Sequence, residues 1–302
     1  MIHNAIQVFY TKSKQLGHNF FGFPEIRYFN MSAFLSLKCL KDKNYHVKLI
    51  TDNLGKKYLI DILGLEYDEV STELETLDIN PALWGMSKIY AFSKQTKPFL
   101  YCDLDVFLFD DISKDLHKSY IFFQNHEQNY HFAYDTFIKH SKHFSKKTTT
   151  ISAYEEDNNI NYSYGDAYNT GLFGGNDIAL IQNCCNEILE YSSQESFKNI
   201  IDTQEASKVS VFMEQVYFFY LLKTEYELHI PKLHINEVIT ERLDYYSQWR
   251  NSYVHLASKQ KYNFRLLEEL IKKVEPTVYF SMELHSWGLN SSSLLRMTNG
   301  MC

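Results

Sequence analysis

Two aspartates directly follow an apolar segment of the chain. The run FLYC (99–102) leads into Asp103, and Asp105 comes two residues later. Residues two apart on extended backbone point to the same side, so the sequence predicts two carboxylates at the carboxyl edge of a sheet. Because like charges repel there, a divalent cation that prefers oxygen ligands, Mg²⁺ or Mn²⁺, would stabilise the pair. An acidic strand-to-turn corner without a metal is the alternative.

A second set of polar residues lies in an apolar strand-like segment, DAYNTGLFGGND (166–177). Its glycines would let a ligand or another backbone approach closely. The side chain of Asn169 offers both a donor and an acceptor to a hydroxyl group, and Thr170 and Gly171 follow it directly. A bulged central strand that ends in a turn is the alternative interpretation.

Glu214 and Gln215 interrupt a segment that is apolar on nearly every side, which predicts a buried helix. Polar side chains in such a helix must find hydrogen-bond partners or face a polar cavity. Farther along, His255 lies in YVHLAS, which reads as a short strand, and Lys261 follows six residues later. The chain has 12 histidines, and a lone histidine is more often a surface or core residue than a ligand. His255 therefore matters only in combination with the other features.

Strand-like and helix-like segments alternate along most of the chain. This alternation predicts an α/β fold with a mostly parallel central sheet flanked by helices, whose ligands bind at the carboxyl ends of the strands. The predicted strands are 5–10, 46–51, 66–70, 99–102 and 166–177. The predicted helices are a segment around 33–40, then 56–63, 84–94, 178–192 with Asn176 as its N-cap, 209–223 and 263–273.

Composition excludes several functional classes. The 302 residues carry a net charge of −7, which argues against a broad nucleic-acid-binding face, so a phosphorylated ligand would need a local Lys, Arg or metal. The longest apolar run has seven residues and no secretory signal is visible, so we expect no transmembrane segment and a cytoplasmic location. The five cysteines form no CxxC, and Cys184 and Cys185 are expected in the core.

Taken in this order, the motifs resemble those of GT-A glycosyltransferases, most closely the galactosyltransferase and glycogenin-like family (glycosyltransferase family 8). The stretch SKIYAFSKQTKPFLYCDLD (87–105) also resembles the segment that precedes the DxD of that family. The resemblance implies a GT-A-type nucleotide-sugar-binding fold. It assigns metal binding to Asp103, Asp105 and His255, substrate binding to Lys88, Asp103, Asn169, Thr170, Gly171 and Lys261, and a catalytic role to Glu214 and Gln215.

The resemblance further implies a hexosyltransferase of polysaccharide biosynthesis that uses Mn²⁺ or Mg²⁺ and a UDP-sugar. The acceptor would be a glycan or lipid-linked molecule, with peripheral membrane contact left open, and the anomeric configuration would be retained. If the enzyme instead inverts, Glu214 or an acidic residue of the insertion would act as base. Four departures from the family pattern are Ser258 in place of glycine, Glu214 in place of aspartate, no Pro-Trp after Lys261, and a longer insertion at 124–165.

The resemblance also predicts the domain organisation. Residues 1–262 would form the catalytic domain, with a nucleotide-binding half at 1–110 and a sugar and acceptor half at 166–262. The polar stretch 124–165 would be an insertion, either a functional lid or a mobile loop. Residues 263–302 would form a C-terminal helical extension.

Two other functions are compatible with parts of the pattern. A phosphatase of the haloacid-dehalogenase type also uses a strand followed by DxD, here DLDV (103–106), but that family places the motif near its N-terminus. A non-catalytic sugar- or nucleotide-binding relative of the GT-A fold is the second. The presence together of Asp103, Asp105, His255 and Lys261 argues against loss of catalysis.

Overall fold

The computed structural model describes residues 2–12, 21–112, 119–127, 167–200, 202–218, 221–222, 253–256, 261–262, 264–277 and 279. The predicted insertion lies outside these residues except for 124–127, which end a strand. Ser258 and positions 280–302 of the predicted C-terminal extension also lie outside them.

Six strands form the central sheet, in the order β3-β2-β1-β4-β7-β6. Strands β3, β2, β1 and β4 are neighbours in that order and run parallel to one another. Strand β7 pairs antiparallel with both β4 and β6, so it alone runs in the opposite direction. A second, two-stranded antiparallel sheet joins β5 to β8. The strands are β1 Asn4–Phe9, β2 His46–Thr51, β3 Glu69–Ser71, β4 Phe99–Cys102, β5 Val106–Leu108, β6 Ile121–Glu127, β7 Ala167–Gly175 and β8 Tyr253–His255.

Helices cover both faces of the sheet. They are α1 Ile26–Asp42, α2 Asn53–Lys56, α3 Met86–Ser93, α4 Ile178–Ser192, α5 Glu195–Lys198, α6 Thr203–Val211 and α7 Phe264–Val274. A π-helical turn, Lys57–Ile62, continues α2, and another, Phe212–Tyr217, continues α6; a 3₁₀ turn spans Glu73–Thr76. None of the helices in the described parts of the chain is long and apolar enough to cross a membrane.

Two hydrophobic clusters, one on each face, hold these layers together. Phe92, Phe173 and Phe218 belong to the cluster that includes α3, α4 and α6, whereas Phe29 and Leu267 belong to the cluster of α1 and α7. All nine residues of β7 are buried, which explains its apolar and glycine-rich sequence. The predicted α/β fold class, with a mostly parallel central sheet flanked by helices, is confirmed. Cys184 and Cys185 are buried in the core, as expected.

The bounds of α4 were predicted correctly, but its N-cap residue and the start of α6 were wrong. The N-cap of α4 is Asp177, whose carboxylate accepts a hydrogen bond from Leu180 N, and not Asn176. Helix α6 begins at Thr203 rather than near Val209, because the carboxylate of Asp202 accepts from the backbone N–H groups of its first turn. In α6 the capping carboxylate of Asp202 fixes the start, and the apolar periodicity that predicted a later start does not register it.

The buried carboxylate of Asp52 joins three segments at the carboxyl end of β2. It accepts hydrogen bonds from Thr11 N, Thr11 Oγ1, Lys12 N and Gly55 N, and so caps α2 and holds the segment after β1. We expect Asp52→Ala to lower the free energy of unfolding by about 3 kcal/mol, because it leaves buried donors without an acceptor. Urea denaturation would measure this, with Asp61→Ala, an exposed position nearby, as the control. Equal stability of the two variants would contradict the prediction.

Candidate active site at the carboxyl end of β4

Asp103 and Asp105 lie in the short turn that connects β4 to β5. Asp103 N donates to Gly171 O of β7 at 2.9 Å, and Val106 N donates to Asp103 O at 3.1 Å. These bonds fix the backbone on both sides of the turn. The two carboxylates therefore lie at the carboxyl end of β4, as the sequence predicts.

His255 reaches the same place from the far end of the chain. Strand β8 pairs with β5 so that His255 lies opposite Val106, and Leu256 N donates to Asp105 O at 2.9 Å. One ligand atom from each of Asp103, Asp105 and His255 lies within 4.8 Å of the others. Two carboxylates and one imidazole at this separation form a group that could hold a divalent metal ion.

Lys261 is the closer of the two basic residues beside Asp105. Its Nζ lies 2.8 Å from Asp105 Oδ2 and also donates to Phe21 O at 2.8 Å. On the other side of the carboxylate, His255 Nε2 lies 3.5 Å from Asp105 Oδ1. Burial raises the pKa of Asp105, but the charges of Lys261 and His255 outweigh burial and hold that pKa well below its usual range.

Lys88 bridges two carboxylates on the other side of the site. Its Nζ lies 2.9 Å from both Asp103 Oδ2 and Glu214 Oε1. Burial lowers the pKa of the Lys88 ammonium, but the two carboxylates reverse this and raise it above its usual value. Glu214 has no exposed side-chain surface, and burial raises its pKa even though Lys88 acts against this. Thr170 Oγ1 donates a further hydrogen bond to Glu214 Oε1.

A cavity of about 420 Å³ opens beside these ion pairs, a size typical of small-ligand sites. Asn169 and Gln215 line it together with the two lysines, Lys88 and Lys261, and with the three residues that could hold a metal, Asp103, Asp105 and His255. Glu214, Thr170 and Gly171, which the resemblance assigns to catalysis or substrate binding, are not among its lining residues. The wall also contains six aromatic side chains: Phe9, Tyr10, Phe21, Phe23, Phe29 and Trp84.

Sequence reasoning missed two aromatic partners of the charged groups. Tyr101 OH donates to Asp103 Oδ1, and the rings of Tyr101 and Trp84 each lie 5.4 Å from Lys88 Nζ. The two-residue period of a strand places Tyr101 on the same side as Asp103, so this signal was present in the sequence. Trp84 precedes α3, and no local pattern marks it.

Three of the structurally similar proteins are transferases. The chain is similar to mouse xyloside xylosyltransferase 1 in its apo form, at 12% identity and a TM-score of 0.42 over 84% of this chain and 97% of that one. The inositol-1-phosphate CTP transferase from T. maritima matches at 13% identity and a TM-score of 0.38, over 90% and 98% of the respective chains. The galactosyltransferase LgtC with donor and acceptor sugar analogues matches at 10% identity and a TM-score of 0.38, over 88% and 95%.

Comparison at the level of sequence gives a family but no activity. The sequence shows no significant similarity to any curated protein. A family model described as a family of unknown function, DUF6734, matches residues 4–282. Because that match spans most of the chain, this protein belongs to the DUF6734 family.

Proposed function

We propose that this protein is a metal-dependent glycosyltransferase that transfers a hexosyl group from a nucleotide-sugar, a UDP-sugar, to a hydroxyl group of a glycan or lipid-linked acceptor. One observation carries the proposal: Asp103, Asp105 and His255 converge beside a cavity that is flanked by Lys88 and Lys261. A nucleotide-sugar needs these two features together, a metal site and local positive charge for its diphosphate.

The donor atoms fit a Mn²⁺ or Mg²⁺ ion. Asp103 and Asp105 would supply carboxylate oxygens, and His255 would supply a neutral nitrogen without adding negative charge. The bound ion would act as a Lewis acid on the diphosphate leaving group. Asp103 pairs with Lys88 and Asp105 pairs with Lys261, so a nearby positive charge already compensates each carboxylate.

Lys88 and Lys261 place positive charge where a diphosphate would lie. Their side chains are only 12% and 18% exposed, so solvent screens them weakly. A chain with a net charge of −7 needs local positive charge, from lysine, arginine or a metal, to bind a polyanion. We therefore assign to both lysines the stabilisation of the negative charge that develops as the bond between sugar and diphosphate breaks.

The sugar-binding residues divide into two groups. Asn169 and Gln215 line the cavity and would hold hydroxyl groups of the donor sugar. Glu214 and Thr170 lie behind Lys88, where Glu214 holds the ammonium group and Thr170 holds Glu214. We assign to these two residues the positioning of Lys88. This assignment favours retention of configuration, since a buried carboxylate paired with Lys88 is poorly placed to act as a base toward an acceptor.

The test is donor hydrolysis and transfer over a panel of nucleotide-sugars, with Mn²⁺, with Mg²⁺ and with EDTA. We expect UDP release from one or a few UDP-sugars that requires the metal and is lost in Asp103→Asn. Release of phosphate from an aryl phosphate without nucleotide-sugar turnover would favour a phosphatase instead. UDP binding that is independent of metal, with no turnover of any donor, would favour a binding protein.

Gly171 provides a prediction about the metal site. A Cβ at this position would lie 2.8 Å from His255 Nδ1 and closer still to Gln124 Oε1, so both side chains would have to move. We expect Gly171→Ala to weaken Mn²⁺ binding by about tenfold or more. Isothermal titration would measure this.

Gly64→Ala is the matched control. Gly64 has a φ of +66°, so alanine there strains the backbone, but no atom lies within 4 Å of the added Cβ. This variant should lose stability and keep the Mn²⁺ affinity of the wild type. Equal Mn²⁺ affinity of Gly171→Ala and the wild type would contradict the prediction.

A further inference from the structure

Three buried polar atoms meet around Gly171 without hydrogen-bond partners. Among the described residues, neither Gln124 Oε1, Gln124 Nε2 nor His255 Nδ1 takes part in a hydrogen bond. Gln124 is 1% exposed and His255 is 9% exposed. A buried polar group without a partner costs about 1 to 3 kcal/mol, so an amide next to an imidazole in this position calls for an explanation.

The sheet places Gln124 here through an irregularity. Phe123 of β6 pairs with Phe173, but Asn125 pairs with Asn169, so more residues of β7 than of β6 lie between the two pairs. The backbone of β7 bulges at Thr170–Leu172, opposite Gln124. Because residue 171 is glycine, the Gln124 amide and the His255 ring can both approach the backbone from the side where a Cβ would lie.

The two nitrogens of His255 therefore have different surroundings. Nε2 faces Asp105 and the metal-binding group, whereas Nδ1 faces Gly171 and the Gln124 amide. We infer that Gln124 is the positioning residue of His255, and that its amide is the hydrogen-bond partner of Nδ1, directly or through one buried water. The part of this inference that concerns metal binding rests on the proposed function.

A side-chain amide could form a hydrogen bond with His255 Nδ1 both in the metal-free site and in a site whose metal is held by Nε2. If Nε2 held a metal ion, the ring proton would be on Nδ1 and would donate to the amide oxygen. When Nε2 carries the proton and faces Asp105, Nδ1 accepts from the amide N–H instead. An amide can do both because it has a donor and an acceptor, whereas a carboxylate could serve only the metal-bound state.

Gln124→Met tests this role, because it keeps the length of the side chain and removes its hydrogen-bonding atoms. We expect the variant to fold with an unchanged or higher melting temperature and to bind Mn²⁺ about tenfold or more weakly, measured by electron paramagnetic resonance without any nucleotide-sugar. Gln124→Glu, which keeps an acceptor, should restore the affinity.

A double-variant cycle shows whether Gln124 acts through His255. In the His255→Ala background, Gln124→Met should have no further effect on Mn²⁺ affinity. An equal loss in both backgrounds, or no loss in either, would overturn the inference.

The ¹⁵N resonances of the His255 ring in the metal-free protein provide a readout that does not depend on metal or sugar. They should shift in Gln124→Met, and unchanged resonances would reject the role of Gln124. Failure of the wild-type chain to bind Mn²⁺ would reject the proposed function instead, and the ring resonances would still decide the inference.

Discussion

Replacement of Lys88 by methionine should abolish sugar transfer and also destabilise the fold. Lys88 Nζ is 2.9 Å from both Asp103 Oδ2 and Glu214 Oε1. Without it, Glu214 becomes a fully buried carboxylate that no longer faces a cation, and loss of one partner of a buried ion pair costs about 3 to 5 kcal/mol. We expect transfer to fall by about 100-fold or more, since a cation at the leaving group is lost. Transfer kinetics and urea denaturation would measure the two effects.

A double variant separates these two effects. In Lys88→Met with Glu214→Gln, the fully buried charge of Glu214 is gone and the amide can still accept from Thr170 Oγ1, so that only the partly exposed Asp103 is left without Lys88. Most of the lost stability should return, because the removal of both partners of a buried pair is far less costly than the removal of one. Transfer should remain absent.

Lys94→Met, at an exposed lysine just after α3, is the matched control and should change neither property. Full transfer activity in Lys88→Met would reject the proposed role of Lys88. A double variant no more stable than the single one would reject the pairing with Glu214 as the source of the destabilisation.

The strands were predictable because their signal is local. The runs HVKLIT and FLYC predict strands at 46–51 and 99–102, and β2 and β4 have those bounds. Strand β4 is buried on both faces and reads as a continuous apolar run, so its ends coincide with the ends of the run. In β2, the exposed His46 and the partly buried Lys48 alternate with the buried Val47 and Leu49, and this two-residue period indicates a strand. The strand predicted at 66–70 is shorter and lies later, at Glu69–Ser71, where most side chains are only partly buried and the apolar signal is weak.

The candidate site was predictable only in part, because its residues come from distant segments. The spacing of Asp103 and Asp105 indicates two carboxylates at one sheet edge, but nothing local brings His255 to them; that expectation came from the family resemblance. The ion pair of Lys88 with Glu214 spans 126 positions, so no sequence pattern could predict it. No sequence pattern marks Gln124, because the residue that it approaches in space is a glycine, Gly171, and because its position depends on a bulge in β7.

Replacement of Asp105 by asparagine should remove Mn²⁺ binding and transfer, and in the metal-free protein it should lower stability at neutral pH. The repulsion between two neighbouring carboxylates suggests from sequence alone that loss of one would leave stability unchanged. The structure instead pairs Asp105 with Lys261 at 2.8 Å and with His255, so its charge stabilises the metal-free fold. We expect a loss of about 3 kcal/mol, close to the lower limit for a broken buried pair.

The pH dependence of that loss follows from the direction of the pKa shift. The pKa of Asp105 in the folded protein is well below its ordinary value of 3.8, because Lys261 and His255 outweigh the effect of burial. A carboxylate with a lowered pKa stabilises the fold fully above its unfolded pKa, and this contribution is lost as the pH falls toward the folded pKa. The gap in unfolding free energy between the wild type and Asp105→Asn should therefore be constant near neutral pH and shrink below about pH 4.

Urea denaturation of the metal-free proteins at a series of pH values would measure the gap. Asp110→Asn, at an exposed carboxylate just after β5, is the matched control and should show almost no gap at any pH. A gap for Asp105→Asn that persists unchanged into acid would mean that the stabilisation comes from the hydrogen-bonding shape of the side chain and not from its charge. In that case Asp105 would not hold Lys261 in the metal-free protein. Phe21 O, which also accepts a hydrogen bond from Lys261, would then have to hold this lysine for its proposed action on the diphosphate.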